Sequence, residues 1–210
     1  MVQLNHRKVL GPDREIFEGL LFIPDISGFT RLVHSTDVLT GKQITYELLS
    51  TIIRQNNLQL NIAEVEGDAV LFYRYGPAPS VAELVSQYEK MKAAFEIKLG
   101  ELQSKFSQEI DLSLKVIAHY GTMTEFKIGH FKKLYGKVVI EAHRLLKNSI
   151  ASDNYLLITD SLLEKAGVVD QHIQQRGIRS NKHSDGYNAL RNICFTYFDF
   201  NEKREWMKVA

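Results

Sequence analysis

The sequence predicts an α+β fold: a ferredoxin-like βαββαβ core extended by C-terminal additions. Three observations predict it. A near-continuous apolar run at 19–24 is typical of a buried strand. Two strand-like runs flank Glu66-Gly67-Asp68, which is typical of a hairpin. Apolar residues recur at steps of three or four over 80–107, which predicts a long helix covering a sheet face.

The first half of the chain supplies most of this core. Pro24 withholds one ladder hydrogen bond, so we expect the first strand to end there. A helical pattern follows over 27–58, with a predicted break at Thr40-Gly41. The hairpin strands are predicted at 58–65 and 69–75.

The second half alternates between strand and helix patterns. The predicted elements are a strand at 111–121, a strand-like segment at 122–136, a helix at 137–149, a strand at 155–159, a helix from its cap at Asp160 to Gly167, and strands near 171–179 and 187–200. We therefore expect a leader over 1–18, one domain over 19–200 and a short tail over 201–210.

The composition is that of an ordinary globular protein. The chain has 210 residues, of which 44% are hydrophobic and 24% charged, and a net charge of +1. This balance disfavours binding to nucleic acid or a membrane surface. The single cysteine, Cys194, lies in an apolar run, so we expect a core residue and no disulfide. Without a signal-like start or an apolar run of about 18 residues, we expect a cytoplasmic protein.

Two acidic residues stand where apolar runs meet turns. Asp25 follows the first strand, and Asp68 follows Gly67 at the hairpin tip. Two strand-end carboxylates that meet in space form an oxygen-lined site for Mg²⁺ or Mn²⁺. Asp is also common as a turn or cap residue, so each could be purely structural.

These motifs resemble a known enzyme class. Phe22-x-x-Asp25-Ile-Ser-Gly-Phe-Thr30, together with Gly67-Asp68-Ala69, resembles the catalytic domain of class III adenylyl and guanylyl cyclases. The resemblance spans about 19–198 and continues weakly in His119-Tyr120-Gly121, Gly136 to Leu145 and Phe195 to Phe198. More narrowly, the chain looks like a bacterial cyclase-like family of unassigned function.

The resemblance implies a purine nucleoside triphosphate as ligand. Asp25 and Asp68 match the positions that bind two divalent ions, Mg²⁺ or Mn²⁺, in such cyclases. The backbone amides of the following segment would cradle the phosphates; these residues are Ile26, Ser27, Gly28, Phe29 and Thr30.

The resemblance also points to two positions that select the base. Glu64 lies four residues before Asp68, where a Glu is typical of guanylyl cyclases, so GTP is favoured over ATP. The second position falls on Lys133, which departs from both enzyme types. Glu64 could equally be an exposed strand residue or an ion-pair partner of Lys133.

The residues expected to stabilise the transition state are only partly present. Arg144 matches the catalytic Arg of the class, but Ile140 occupies the usual Asn position and offers no hydrogen bond. His143 stands where a small residue is usual, and helix packing is an alternative role for it. Arg191 lies where cyclases often place a phosphate-binding Lys, and it could also be an exposed strand charge.

In this class the metal site and the Asn–Arg pair come from different chains. The resemblance therefore implies a head-to-tail homodimer, with Lys127 to Lys137 in the region of the dimer arm. These lysines could also form a solvated face. Three hypotheses follow: a working cyclase, a degenerate cyclase homologue acting as a nucleotide sensor or dimerisation module, and an unrelated ferredoxin-like domain with structural acidic turns.

Overall fold

The computed structural model describes residues 15–167, 179–185 and 192–201. Its elements in chain order are β1 Phe17–Ser27, α1 Phe29–Ser35, α2 Val38–Arg54, β2 Asn61–Glu66, β3 Ala69–Tyr75, α3 Val81–Phe106, β4 Ser113–Ile128, β5 Phe131–Tyr135, α4 Lys137–Leu145, β6 Tyr155–Thr159, α5 Asp160–Ala166, β7 Arg179–Asp185 and β8 Ile193–Asp199. The predicted leader and tail lie outside the described residues over 1–14 and 202–210.

The strands form one sheet in the order β2-β3-β1-β4-β6-β8-β7, and β5 pairs with β4 beyond it. β1 is central and pairs antiparallel with both β3 and β4. The first four strands and the helices between them form the βαββαβ core, and β6 to β8 extend it. The predicted ferredoxin-like α+β fold with C-terminal additions is confirmed.

Each face of the sheet has its own hydrophobic core. Along β1, Leu20 and Phe22 pack with α2 and α3, whereas Leu21 and Ile23 pack with α4. This alternation follows from the two-residue period of a strand. The long helix α3 begins with a capping box between Ser80 and Glu83, which satisfies its first backbone donors. Helix α4 consequently lies on the opposite face of the sheet from α2 and α3.

Several sequence predictions need correction. The first strand does not end at Pro24 but continues to Ser27, and it stays paired with β4 over these residues. The helical break lies at Thr36 and Asp37, because the Asp37 carboxylate accepts hydrogen bonds from Leu39 and Thr40 and begins α2 there. Thr40-Gly41 lies inside that helix. Asp160 is the first residue of α5 rather than its cap, which is Thr159.

The C-terminal strands also differ from prediction. The predicted strand at 171–179 falls mostly outside the described residues, and β7 occupies Arg179–Asp185 instead. Cys194 is exposed rather than part of the core, because the buried side chains on either side of it in β8 are those of Ile193 and Phe195.

Candidate functional site

The carboxylates of Asp25 and Asp68 meet near the end of β1. β1 pairs with β3 so that Asp25 lies opposite Ala69, the residue after Asp68. The backbone N–H of Ile26 donates to the carbonyl oxygen of Asp68 at 3.2 Å, which holds the strand end against the hairpin tip. Asp25 is only 8% exposed. The structure therefore brings together the two acidic residues singled out from the sequence.

The two carboxylates interact strongly with each other. Burial of Asp68, followed by the negative charge of Asp25, raises the pKa of Asp68 to about 6. A hydrogen bond between the two carboxyl groups, which can form only when one of them is protonated, contributes to the raised pKa. Because two like charges in contact repel each other when both are ionised, a cation between them is favourable.

A lysine that sequence reasoning missed lies beside this pair. Lys115 of β4 is opposite Asp25 in the β1–β4 register, and its Nζ lies 3.1 Å from Asp25 Oδ2. The same ammonium donates to the carbonyl oxygen of Leu146, just after α4, at 3.3 Å. A sequence signal existed, since Lys115 stands between Leu114 and Val116 in an apolar strand. A lysine in such a strand requires an anionic partner.

Two clefts open beside the acidic pair, and Asp25 and Asp68 line both. The first, which we call the hairpin cleft, has a volume of about 350 Å³ and lies between the β2–β3 hairpin and α4. The second, which we call the loop cleft, has a volume of about 460 Å³ and lies along residues 26–31, with Lys115 at its side. An ion held by the two carboxylates would therefore border both clefts.

The predicted phosphate-binding segment, residues 26–30, lines the loop cleft. Gly28 has a φ of 88°, and a Cβ there would lie 2.5 Å from the carbonyl oxygen of Asp111, so the turn requires glycine. The Oγ of Ser27 is the one buried side-chain polar atom without a hydrogen-bond partner in the described part of the chain. Such a hydroxyl favours a ligand that can accept or donate a hydrogen bond.

The donor set fits a hard divalent cation. Mg²⁺ is commonly held by one or two carboxylates together with water and substrate phosphate oxygens, and Mn²⁺ favours the same ligands. Over residues 15–167 and 192–201, no group of three or more His, Cys, Asp or Glu side chains is arranged to hold a metal ion. Asp25 and Asp68 would therefore provide part of a coordination shell that a ligand must complete.

The two candidate base-selecting residues form an ion pair. Lys133 Nζ of β5 lies 2.9 Å from Glu64 Oε1 of β2, and both side chains are partly exposed. The pairing considered from the sequence is thus present. Glu64 also lines the hairpin cleft. The structure therefore joins an acceptor that lines this cleft, Glu64, to a donor on β5, Lys133.

The residues of α4 and of the turn after it face different ways. His143 and Lys147 line the hairpin cleft of their own chain, whereas Arg144 lines neither of the two clefts. The side chain of Ile140, at the usual Asn position, is on the surface with 51% exposed. Arg191, the other predicted phosphate contact, lies outside the described residues.

A buried polar network fixes α4 against the sheet. Nε2 of His119, in β4, lies 3.1 Å from Oε2 of Glu141, in α4, and Nδ1 lies 2.8 Å from Oγ1 of Thr159. All three residues are buried. Because breaking a buried hydrogen-bonded pair is costly, this network sets the position of the helix that carries Arg144 and His143.

The basic stretch is largely neutralised within the chain. Lys132 pairs with Glu125 at 2.6 Å, and Lys133 pairs with Glu64. Lys137 lies 3.8 Å from Glu141. The end of β4 and β5 also project large exposed apolar side chains, namely Phe126, Ile128, Phe131 and Tyr135. We call the end of β4 together with β5 the arm. The arm presents an apolar surface between paired charges rather than a uniformly solvated basic face.

Sequence comparison assigns the chain to a family. A family model described as "Protein of unknown function (DUF2652)" matches residues 45–155, more than half of the chain. The chain belongs to the DUF2652 family. It is also similar to the uncharacterised protein Rv2561/Rv2562 of Mycobacterium tuberculosis, with 31% identity over 108 residues. That alignment covers 48% of this DUF2652 chain and 50% of the mycobacterial protein, so the match spans about half the length of that relative.

Structural comparison gives the fold class of this DUF2652 member. The guanylyl cyclase Cya2 matches with a TM-score of 0.68 and 14% identity, over 90% of this chain and 95% of that one. The adenylyl cyclase CyaB from P. aeruginosa matches with a TM-score of 0.63 and 17% identity, over 90% and 97%. The chain therefore has the class III nucleotidyl cyclase fold, as the sequence motifs predict.

The described helices differ from membrane-spanning helices. None of them combines the length and the apolar character that crossing a bilayer requires.

Proposed function

We propose that this chain is a cyclase-like domain that binds a purine nucleoside triphosphate, GTP in preference to ATP, together with Mg²⁺ or Mn²⁺. One observation carries the proposal: the buried carboxylate of Asp25 and the half-buried carboxylate of Asp68 meet between two clefts, one of which is lined by a glycine-containing loop. A hard cation and an anionic ligand together would satisfy both the carboxylate pair and the unpartnered Ser27 hydroxyl.

Each group has a role in this proposal. Asp25 and Asp68 hold the cations, and the backbone and side chains of residues 26–30 contact the phosphates. When bound, the cations would neutralise the phosphates and polarise the reacting oxygen atoms. The cyclase resemblance supports a head-to-tail homodimer, in which Arg144 would serve the partner's site. The exposed apolar side chains of the arm suit such an interface.

The Glu64–Lys133 pair supports guanine as the preferred base. The carboxylate can accept from guanine N1–H and N2–H, while the ammonium donates to O6. Adenine offers this pair only one amino donor and one ring acceptor, so it would form fewer hydrogen bonds. A site built to pair with polar groups discriminates against a base that leaves one of them unpaired.

A second candidate is nucleotide binding without turnover, as in a sensor or dimerisation module. Ile140 favours it, because an exposed aliphatic side chain at the usual Asn position cannot orient a ribose by hydrogen bonding. Loss of such a positioning group typically lowers the rate by a factor of ~10²–10³. The two candidates share the binding site and differ only in whether a cyclic product forms.

Calorimetry with Mn²⁺ and either GTP or ATP tests binding, and mass spectrometry of the same mixtures tests turnover. We expect Mn²⁺-dependent GTP binding that Asp25→Asn and Asp68→Asn abolish. Glu66→Gln removes a neighbouring carboxylate of the hairpin cleft and serves as the matched control. Nucleotide binding that survives both Asp variants would contradict the proposed site. Binding without a cyclic product would support the second candidate.

A further inference from the structure

Lys115 forms an ion pair with one member of the acidic pair, Asp25. Its ammonium lies 3.1 Å from Asp25 Oδ2, and the side chains of Lys115 and Asp25 are 20% and 12% exposed. A second contact, 3.3 Å to the carbonyl oxygen of Leu146, places the ammonium between β1 and the end of α4. Lys115 is thus held by two acceptors rather than pointing freely into solvent.

This ion pair opposes the binding of a metal ion by itself. A divalent ion on Asp25 would have to share that carboxylate with the ammonium or displace it, and two cations so close together repel. Displacement is costly in turn, because a lysine that loses its anionic partner in a mostly buried place keeps an uncompensated charge. The metal alone therefore offers Lys115 no replacement for the carboxylate.

A triphosphate changes this balance. Lys115 lines the loop cleft together with residues 26–31, where the proposed function puts the phosphates. The lysine side chain is long and flexible, so a modest rotation would carry its ammonium from Asp25 towards an anion in that cleft. The phosphate would then replace Asp25 as the anionic partner of Lys115 when Asp25 binds the metal ion.

We propose that Lys115 is an internal counter-cation that makes metal and nucleotide binding cooperative. In the free protein it occupies Asp25 and weakens binding of the divalent ion; with a triphosphate present it pairs with the phosphates and releases Asp25. This inference rests on the proposed function. It adds that the metal ion and the nucleotide each increase the affinity of the protein for the other, through the side chain of Lys115.

The test measures Mn²⁺ affinity by calorimetry and by electron paramagnetic resonance, with and without the α,β-methylene analogue of GTP, which cannot be cyclised. For the wild-type protein we expect the analogue to tighten Mn²⁺ binding by about 10-fold or more. Lys115→Met keeps the length of the side chain but removes its charge. This variant should bind Mn²⁺ alone about 10-fold more tightly, bind the analogue more weakly and lose most of the coupling.

Two further variants sharpen the result. Lys165→Met removes another lysine paired with a carboxylate, that of Glu18 at 3.0 Å, and should leave both affinities and their coupling unchanged. Lys115→Gln is also neutral but can still donate to the Leu146 carbonyl, and it replaces the Met variant if thermal melting shows that Lys115→Met does not fold.

The outcomes separate this inference from the function on which it rests. If the wild-type protein binds neither Mn²⁺ nor the analogue, the proposed function is wrong and the inference falls with it. If the wild type binds both, and the folded neutral variant binds Mn²⁺ no more tightly and keeps the full coupling, the counter-cation role alone is wrong. Tighter metal binding combined with lost coupling supports it.

Discussion

Glu64 of β2 and Lys133 of β5 form an ion pair with 2.9 Å between Oε1 and Nζ. The pair joins the edge strand of the main sheet to the arm that extends from β4. Because both side chains are partly exposed, it contributes only ~0–1 kcal/mol to stability. Glu64 also lines the hairpin cleft, where the proposed function gives the pair a role in recognising the base.

The first prediction concerns this pair. Glu64→Gln keeps the shape of the side chain but replaces one acceptor oxygen with a donor that opposes guanine N1–H and N2–H. We expect GTP affinity to fall about 10-fold relative to ATP, equivalent to about 1.4 kcal/mol. Competition binding of the two nucleotides in the presence of Mn²⁺ measures the ratio.

The matched control for base selection is Glu125→Gln. Glu125 pairs with Lys132 on the same arm and lines neither cleft. It should leave the GTP-to-ATP ratio as in the wild type. An unchanged ratio in Glu64→Gln would remove the base-selecting role from this pair.

The second prediction concerns pH and metal binding. Because burial and the charge of Asp25 raise the pKa of Asp68 to about 6, protons compete with Mn²⁺ for this carboxylate below that pH. Apparent Mn²⁺ affinity should fall by up to about 10-fold for each pH unit below 6 and level off above about 7. Calorimetry between pH 5 and 8 gives the profile.

Two variants check the assignment of this profile. His143→Gln removes an imidazole from the hairpin cleft and should leave the midpoint in place. Asp68→Asn should bind Mn²⁺ weakly at every pH. A wild-type profile that is flat between pH 5 and 7 would contradict the raised pKa.

The third prediction concerns the stability of the metal-free protein. The pKa of Asp68 is about 6 when folded and near its ordinary 3.8 when unfolded, so the folded protein binds more protons between these values. The free energy of unfolding therefore decreases as the pH rises from about 4 to 6. Asp68→Asn removes the cost of ionising this carboxyl group in the folded protein. Because the side chain is only half-buried and solvent screens its charge, we expect the free energy of unfolding to increase by about 1 kcal/mol at pH 7.5.

Thermal melting without metal measures this gain. For a chain of this size, 1 kcal/mol raises Tm by about 2–4 °C. Glu66→Gln, at a more exposed position of the same hairpin, should change the free energy of unfolding by less than ~0.5 kcal/mol. A lower Tm for Asp68→Asn at pH 7.5 would mean that its ionised carboxylate stabilises the metal-free fold.

The fourth prediction concerns turnover. Ile140→Asn restores an amide at the usual Asn position of α4, and because Ile140 is exposed, the change should not disturb the core. If the remaining site is competent, cyclic product should increase by a factor of ~10²–10³ when GTP and Mn²⁺ are supplied. Ile140→Ala removes the same side chain without adding an amide and should give no increase.

Mass spectrometry of the product decides this point. An increase in Ile140→Asn that is lost again when Arg144→Ala is added would support a site impaired at one position. No increase, with GTP still bound, would favour the sensor. The first result would indicate an enzyme impaired at one position, and the second a nucleotide-binding protein without turnover.

Much of this protein follows from its sequence. The apolar run of β1, the glycine hairpin before Asp68 and the stripe of α3 determined the βαββαβ core, because each pattern is local and has one favourable secondary structure. The same patterns, read with the cyclase motifs, identified Asp25 and Asp68 as a pair. The sequence predicted a strand-like basic segment in the region of the dimer arm, but not the ion pairs of its lysines.

Other features were decided by the tertiary structure alone. Lys115 stands 90 residues from Asp25 in sequence, and only the register of β4 on β1 brings its ammonium to that carboxylate. The raised pKa of Asp68 depends on burial and on a neighbour from another strand, neither of which a local pattern contains. Local sequence patterns determine which residues form a strand, whereas the pairing of strands determines which charged side chains come into contact. The electrostatics of this site depend on those contacts.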